Sequence, residues 1–271
     1  MSELGMGKLA PTDDAAPRIH PTAIVDPRAK LGPGVAVGPY SVVGQEVELG
    51  AGMQLGAHVV IENRVILGCD NRILHGAVIG STPQDLKYRG AHSSVVIGDR
   101  NTIREYVTIN IATDEGEQTR MGSDCLVMAY SHMAHNVRLG SHVIMANSVN
   151  LAGHVTVDDW AIIGGMCAAH QFALIGAHAF VGGLSRLSQD VPPFIKVAGS
   201  PPIPAGINSV GLERRGFTAE QIHRVKEAYK LIYRRNLRRE EALAQFRLDG
   251  EDEIYHAFAD FFARSARGII R

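Results

Sequence analysis

The chain has 271 residues, 45% of them hydrophobic, and a formal net charge of −1. That length suits one large domain, or a large and a small one. The near-neutral charge argues against general nucleic-acid binding, and no apolar run reaches the ~20 residues of a membrane-spanning helix. The three cysteines, Cys69, Cys125 and Cys167, are odd in number, widely spaced and form no CxxC pair. They point to a reduced, cytoplasmic protein.

Residues 1–18 lack the basic start and apolar centre of a secretory signal. They are expected to form a flexible N-terminal extension rich in Ala, Pro and Asp. From Ile19 a different rule takes over. Ile, Leu, Val or Met recurs every six residues as far as Leu187, broken only at Asp85, Ala91, Glu115 and Ala169. A period this regular means a solenoid. Small or β-branched residues stand two places before the beat, as at Val35, Ser41, Val59, Val143 and Ala161. Residues two apart on a strand share a face, so each hexad is a short strand with two inward side chains. Glycine is frequent just after the beat, as at Gly38, Gly50, Gly140 and Gly164, and is expected to permit the turn into the next strand. The breaks are whole multiples of six, so Pro83–Ser94 and Thr113–Arg120 read as loops pushed out of a continuous coil. The β-helix is expected over residues 19–190.

The chain changes character at Val191. Pro192, Pro193, Pro201, Pro202 and Pro204 suggest a stiff linker. Thr218 and Gln221 make a capping box, with Phe217 and Ile222 as its hydrophobic staple. Ile222, Val225, Tyr229 and Ile232 then mark one apolar helix face. Further helices are expected over Glu240–Phe246 and around Ile254, Phe258, Phe261 and Phe262. Residues 191–271 thus read as a C-terminal helical domain. Between residues 213 and 239 there are nine Lys or Arg against three Glu, a basic stretch suited to an acidic partner or simply a solvated helix face.

Six of the twelve histidines fall between residues 132 and 178. The six-residue beat resembles that of the hexapeptide-repeat proteins, which implies three hexads per coil; 18-residue steps then stack, placing His135 near Gly153 and Gln171, and His154 near Asn136 and Phe172. His58, His92, His142 and His178 read as solvated turn residues. A metal site is the rival use of clustered histidine. A zinc carbonic anhydrase class shares such a fold, but its His-x4-His spacing is absent, and no metal is expected. Ser131 lies beside His132, yet no oriented acid or elbow motif accompanies it. Direct acyl transfer fits better: a neutral imidazole deprotonates an attacking hydroxyl, and a backbone N–H near a glycine holds the oxyanion. No cofactor is needed.

Several motifs are more specific than the beat. They are GSTPQDLKY (Gly80 to Tyr88), SHMAHN (Ser131 to Asn136), LAGHVTVDDWAIIGGM (Leu151 to Met166), HQF (His170 to Phe172), GLERRGF (Gly211 to Phe217) and the ending FFARSARGIIR. With the hexads they resemble the hexapeptide-repeat acyltransferases, and within these the UDP-N-acetylglucosamine O-acyltransferases of lipid A biosynthesis. The resemblance runs from about Ile19 to Arg271. It implies a left-handed parallel β-helix with a helical tail, assembled as a homotrimer. It implies transfer of a 3-hydroxyacyl group from acyl carrier protein to the sugar 3-hydroxyl of UDP-N-acetylglucosamine. By the same resemblance His135 is the general base and Gly153 supplies the oxyanion N–H. Gln84, Asp85 and Lys87 hold the sugar nucleotide, while His132, His154, His170 and Gln171 line the sugar and acyl positions. Asn208, Arg214 and Arg215 reach the nucleotide or the carrier's phosphopantetheine, and Gly183 sets the acyl chain length. Two positions depart from the family pattern: Asn136 stands where relatives carry Asp, and Val210 where an acidic residue is frequent. An N-acyltransferase of the same fold and a non-catalytic trimeric binding module are the alternative readings.

Overall fold

Each hexad forms a strand of two to four residues that ends on, or just past, the six-residue beat, as in Ala36–Val37, Val78–Ser81 and Ile144–Met145. The computed structural model describes residues 16–271 apart from 63, 236, 238 and 249–251, so the expected extension over 1–18 lies almost wholly outside the described residues. The strands stack into three sheets of eleven, nine and eight. They wind as a left-handed parallel β-helix, with the helical segments at its C-terminal end.

Register follows the insertions. Ile19 pairs with Val37 and Val127 with Met145, one 18-residue coil apart. Ile73 pairs with Ile103 across the first insert, 30 residues on, and Ile103 with Val127 across the second, 24 residues on. Both inserts are therefore extruded without a change of phase. The beat side chains and those two places earlier fill the prism: Val35, Val59, Ile61, Val143, Met145 and Ile163 are all at most 1% exposed.

The glycine after the beat has a different role from the one its position suggests. The backbone bends into the left-handed region at the third residue past the beat, and these residues are mostly not glycine: His58, His142, Trp160 and His178 have φ of 55°, 58°, 63° and 57°. Apart from Gly80, at the start of the first insert, the glycines after the beat have no such φ. A Cβ on Gly50 would lie 2.5 Å from the carbonyl carbon of Gly68, and one on Gly164 2.5 Å from the nitrogen of Gly183. Glycine stands there because successive coils touch backbone to backbone.

Left-handed φ at a non-glycine residue costs on the order of 1–2 kcal/mol, and side-chain stacking between coils offsets it. His142 stacks on Trp160 with centroids 3.9 Å apart, Trp160 faces His178 at 6.1 Å, and His178 faces Phe194 at 5.5 Å. Tyr40 stacks on His58 at 5.1 Å along another edge. His142 and His178 are thus half-buried rungs of a ring ladder rather than solvated turn residues, whereas His58 stacks on Tyr40 but stays exposed.

The Pro-rich stretch is not a linker. Ile195–Gly199 pairs in parallel with Phe180–Val181 and continues the first sheet, and Pro202–Ile207 closes it as an antiparallel edge strand. An edge strand tolerates proline because one side needs no donors. Four helices follow: α1 (Ser209–Arg214), α2 (Ala219–Tyr233), α3 (Arg239–Leu248) and α4 (Glu253–Arg264). The expected capping box at α2 is present in both directions between Thr218 and Gln221. Ile222, Val225, Ala228 and Ile232 are its buried face, and Phe246, Phe258, Phe261 and Phe262 fill the space between the helices and the coil. Asp190, fully buried, ties this tail to the prism: it accepts from Leu174 N–H at 2.8 Å, the Ser265 hydroxyl at 2.7 Å and Arg267 N–H at 3.2 Å.

Candidate active site

The edge between the second and third sheets carries the chemistry. His135 occupies the first turn position there, and its ring leans over the backbone of the next coil. A Cβ on Gly153 would lie 2.5 Å from His135 Nε2, so any side chain at 153 displaces the imidazole. The first turn position is one whose N–H serves no strand. Proline fills it at 21, 27, 33 and 39, and at Ala57 and Ser141 the N–H is taken by a side chain of the next coil, His75 and Asp159. At Gly153 the N–H has no protein partner among the described residues. A free backbone donor therefore lies beside the imidazole.

Asn136 fixes the state of that imidazole. It is 5% exposed, with φ 60°, a conformation asparagine adopts more readily than most residues. Its Oδ1 accepts from Thr113 N–H at 3.0 Å, and its Nδ2 donates to Glu117 Oε2 at 2.9 Å. A peptide donor on one side and a carboxylate on the other leave the amide one orientation. Oδ1 therefore faces His135 Nδ1, 3.0 Å away, so Nδ1 carries a proton and the neutral ring has its lone pair on Nε2. Nε2 points toward Asp85 of the first extruded loop, whose carboxylate is 3.9 Å distant, too far for a hydrogen bond.

Two neighbouring imidazoles, His154 and His132, are held toward the neutral form. His154 lies edge-on to His135 at 5.2 Å and stacks on Phe172 at 4.6 Å. Burial, and then the neighbouring His135, hold its pKa below the usual imidazole value, against the pull of Asp114, Glu117 and Asp85. His132 is held low by burial first and also by His135, against the pull of the Thr108 backbone; its Nδ1 lies 2.7 Å from Thr108 Oγ1. His170 and Gln171 are exposed on the same side of the coil above.

The whole chain has relatives of this construction. Residues 190–270 match the family model described as UDP N-acetylglucosamine O-acyltransferase, domain 2. An acyl-[acyl-carrier-protein]–UDP-N-acetylglucosamine O-acyltransferase of Janthinobacterium sp. (strain Marseille) is 49% identical, over 93% of this chain and 99% of its own length. The crystal structure of the Francisella novicida UDP-N-acetylglucosamine acyltransferase superposes with a TM-score of 0.90 at 39% identity, covering 93% of this chain and 94% of that one. The corresponding enzyme of Moraxella catarrhalis gives 0.89 at 37%, covering 93% and 99%. The chain belongs to the UDP-N-acetylglucosamine O-acyltransferase family.

Within one chain, the site residues expected from the sequence fall on three different edges. Gln84, Asp85, Lys87, His132, His135, Gly153, His154, His170 and Gln171 lie on or beside the edge just described. Asn208, Arg214 and Arg215 belong to the edge that carries His142, Trp160 and His178. Asn208 Nδ2 donates to the His178 carbonyl at 2.9 Å and its Oδ1 caps α1. Arg215 lies over the Trp160 ring at 5.2 Å and donates to His178 Nδ1 at 3.1 Å. Arg214 is exposed. Gly183 is on the third edge, beside Gly165 and the exposed Met166 and Leu184.

The Arg215 contact needs an imidazole lone pair, so His178 is neutral. Burial, then the Arg215 guanidinium, push its pKa down to about 4, partly opposed by Asp159. In the unfolded chain the group titrates near ~6.5. Between those values the unfolded chain binds the extra proton, so this contribution to stability is complete above ~6.5 and is lost as pH falls toward 4. His178→Phe, which keeps a ring in the ladder, is expected to reduce the loss of stability between pH 7 and 4.5 by about 1–2 kcal/mol, discounted for partial exposure. Urea midpoints of both proteins at the two pH values check this; parallel losses would remove His178 as the cause.

Several residues here escaped the sequence reading. Glu117 and Thr113 were seen only as part of an extruded loop, and Asp85 as a ligand of the nucleotide rather than a neighbour of His135. The basic stretch is also thinner than its count. Arg224 pairs with Asp252 at 2.6 Å and lies over Tyr255, and Lys230 pairs with Glu227 at 2.8 Å. Arg238 lies outside the described residues. Arg214, Lys226, Arg234 and Arg235 are exposed.

Proposed function

We propose that this enzyme transfers a 3-hydroxyacyl group from acyl carrier protein to the 3-hydroxyl of UDP-N-acetylglucosamine, the first step of lipid A biosynthesis, by direct attack. The observation that carries the mechanism is the juxtaposition of His135 Nε2, the lone-pair nitrogen of the neutral ring, with the N–H of Gly153, unpartnered among the described residues. Nε2 takes the proton of the sugar hydroxyl as the oxygen attacks the thioester carbonyl. The Gly153 N–H donates to the oxyanion, and as the tetrahedral intermediate collapses the C–S bond breaks and Nε2 returns the proton to the carrier's sulfur, which leaves as the thiol. Asp85, next to Nε2, positions the sugar together with Gln84 and Lys87, while the neutral His132 and His154 offer hydrogen bonds without added charge. The exposed Arg214, Lys226, Arg234 and Arg235 suit an acidic carrier.

The site is proposed to be completed in a homotrimer. Asn208, Arg215 and Gly183 lie on edges other than that of His135, so a ligand long enough to engage all three groups would bridge neighbouring prisms. The outward face of the first sheet supports this, with Leu126, Ile144, Ile162 and Phe180 in successive coils. The free thiol of the exposed Cys69 and the intracellular origin of both substrates suit a cytoplasmic location.

Mass spectrometry of the product from UDP-N-acetylglucosamine and a panel of 3-hydroxyacyl carrier thioesters tests the reading. An O-linked ester is expected. Turnover only with a 3-amino analogue, giving an amide, would move the chain to the N-acyltransferase reading. Absence of turnover with every thioester would favour the binding module.

A further inference from the structure

The contact between Asn136 and Glu117 has a chemical consequence. When Nε2 of His135 takes up a proton, the ring becomes a cation whose Nδ1–H still points at Asn136 Oδ1. An amide alone orients that cation without compensating its charge. Here the far end of the same amide donates to Glu117 Oε2 at 2.9 Å. Polarisation of the amide by the carboxylate makes Oδ1 a stronger acceptor as the imidazolium forms. Glu117 comes from the second extruded loop, and Thr119 from the strand after it. The hydroxyl of Thr119 accepts the Asn136 N–H at 2.9 Å, which keeps the amide in place. Glu117 is exposed, whereas Asn136 and His135 are 5% and 6% exposed. The negative charge thus stays hydrated while its effect is delivered inward through one buried amide.

We infer that Glu117 is a positioning residue of the acyl transfer, acting through Asn136 to stabilise the protonated state of His135 in a Glu117–Asn136–His135 relay. No proton moves along the relay: Nε2 gains the hydroxyl proton, Nδ1 keeps its own, and Glu117 remains a carboxylate. The inference rests on the reading of His135 as the general base. Asp85 and Asp114 also lie near the imidazoles, as do His132 and His154, but none of them bonds to Asn136.

The test uses the full-length enzyme with acyl carrier thioester and UDP-N-acetylglucosamine. Glu117→Ala is expected to lower kcat about tenfold, the scale of one charge-assisted hydrogen bond, with both KM values within about twofold. Glu117→Gln is expected to behave the same way, because the charge is what matters. Asn136→Asp in the Glu117→Ala background places a carboxylate directly on Nδ1 and is expected to restore kcat to within about threefold of wild type. Asn136→Asp with Glu117 retained sets two carboxylates against each other and is expected to be slower than that double variant. A merely structural Glu117 does not produce this crossing. Wild-type kcat in Glu117→Ala, or a double variant no faster than the single one, overturns the relay. His135→Ala separates the two claims: if it stays active, the general-base reading itself fails. If it is inactive while Glu117→Ala is unchanged, only the relay fails.

Discussion

His135→Ala is expected to cut kcat by about 10²–10⁴, the range a positioned general base contributes, while the KM for UDP-N-acetylglucosamine changes less than about threefold. The geometry sets the split between the two parameters. Nε2 is the one atom of the ring with a free lone pair, because Nδ1–H is committed to Asn136 Oδ1 at 3.0 Å. Its removal therefore removes proton acceptance and little else. The binding partners proposed for the sugar lie on the first extruded loop and among the neighbouring imidazoles, which alanine leaves in place. His154 is 5.2 Å from the lost ring and packs on Phe172, so its position survives the change. Water is expected to enter the space vacated over Gly153, and the residual rate to come from orientation and the Gly153 N–H alone. Steady-state kinetics of a folded variant decide this. A kcat within threefold of wild type sinks the assignment, and an equal loss in kcat and rise in KM points instead to a collapsed site.

The scaffold was legible because its rule is local and repeats. Inward positions recur at a fixed spacing, and inserts in multiples of six leave the phase intact, so Ile73 still meets Ile103 and Val127 still meets Met145. The 18-residue step also carried the reading to the contact of His135 with Gly153. It failed where chemistry leaves the coil. Glu117 sits in an extruded loop and reaches Asn136 from 19 residues away in sequence, and Asp85 reaches His135 from 50 residues away. No periodicity specifies where a loop folds back. The glycines after the beat look like turn residues in sequence, yet they answer to coil-to-coil contact that only the stacked backbone reveals. Prolines 201, 202 and 204 suggest a linker because each lacks a donor, but an edge strand asks for donors on one side only.

Gly183→Met is expected to shift the enzyme's preference toward shorter acyl chains by a factor on the order of 10², with the rate on its best substrate little changed. We propose, from the family resemblance, that this position sets the end of the acyl groove. The backbone does not demand glycine there: Gly183 has no left-handed φ, and the equivalent turn positions one and three coils earlier are Gly165 and Ala129. A Cβ at 183 would lie 3.2 Å from the Gly165 carbonyl oxygen, its one contact below 3.4 Å. A small shift of the turn therefore accommodates a side chain. What glycine leaves open is the surface above Gly165, beside Met166 and Leu184, each 66% exposed, an apolar strip suited to methylenes. Each methylene buried against it contributes up to ~0.8 kcal/mol, so four of them give a preference on the order of 10² for the longer chain. A methionine at 183 fills that strip with its own flexible side chain and removes the advantage of the last few carbons, leaving the His135 edge untouched. Competition between ten- and fourteen-carbon 3-hydroxyacyl carrier thioesters, run with wild type and variant, measures the ratio of kcat/KM values. A ratio unchanged by the substitution, in a variant that folds and turns over, removes Gly183 as the ruler.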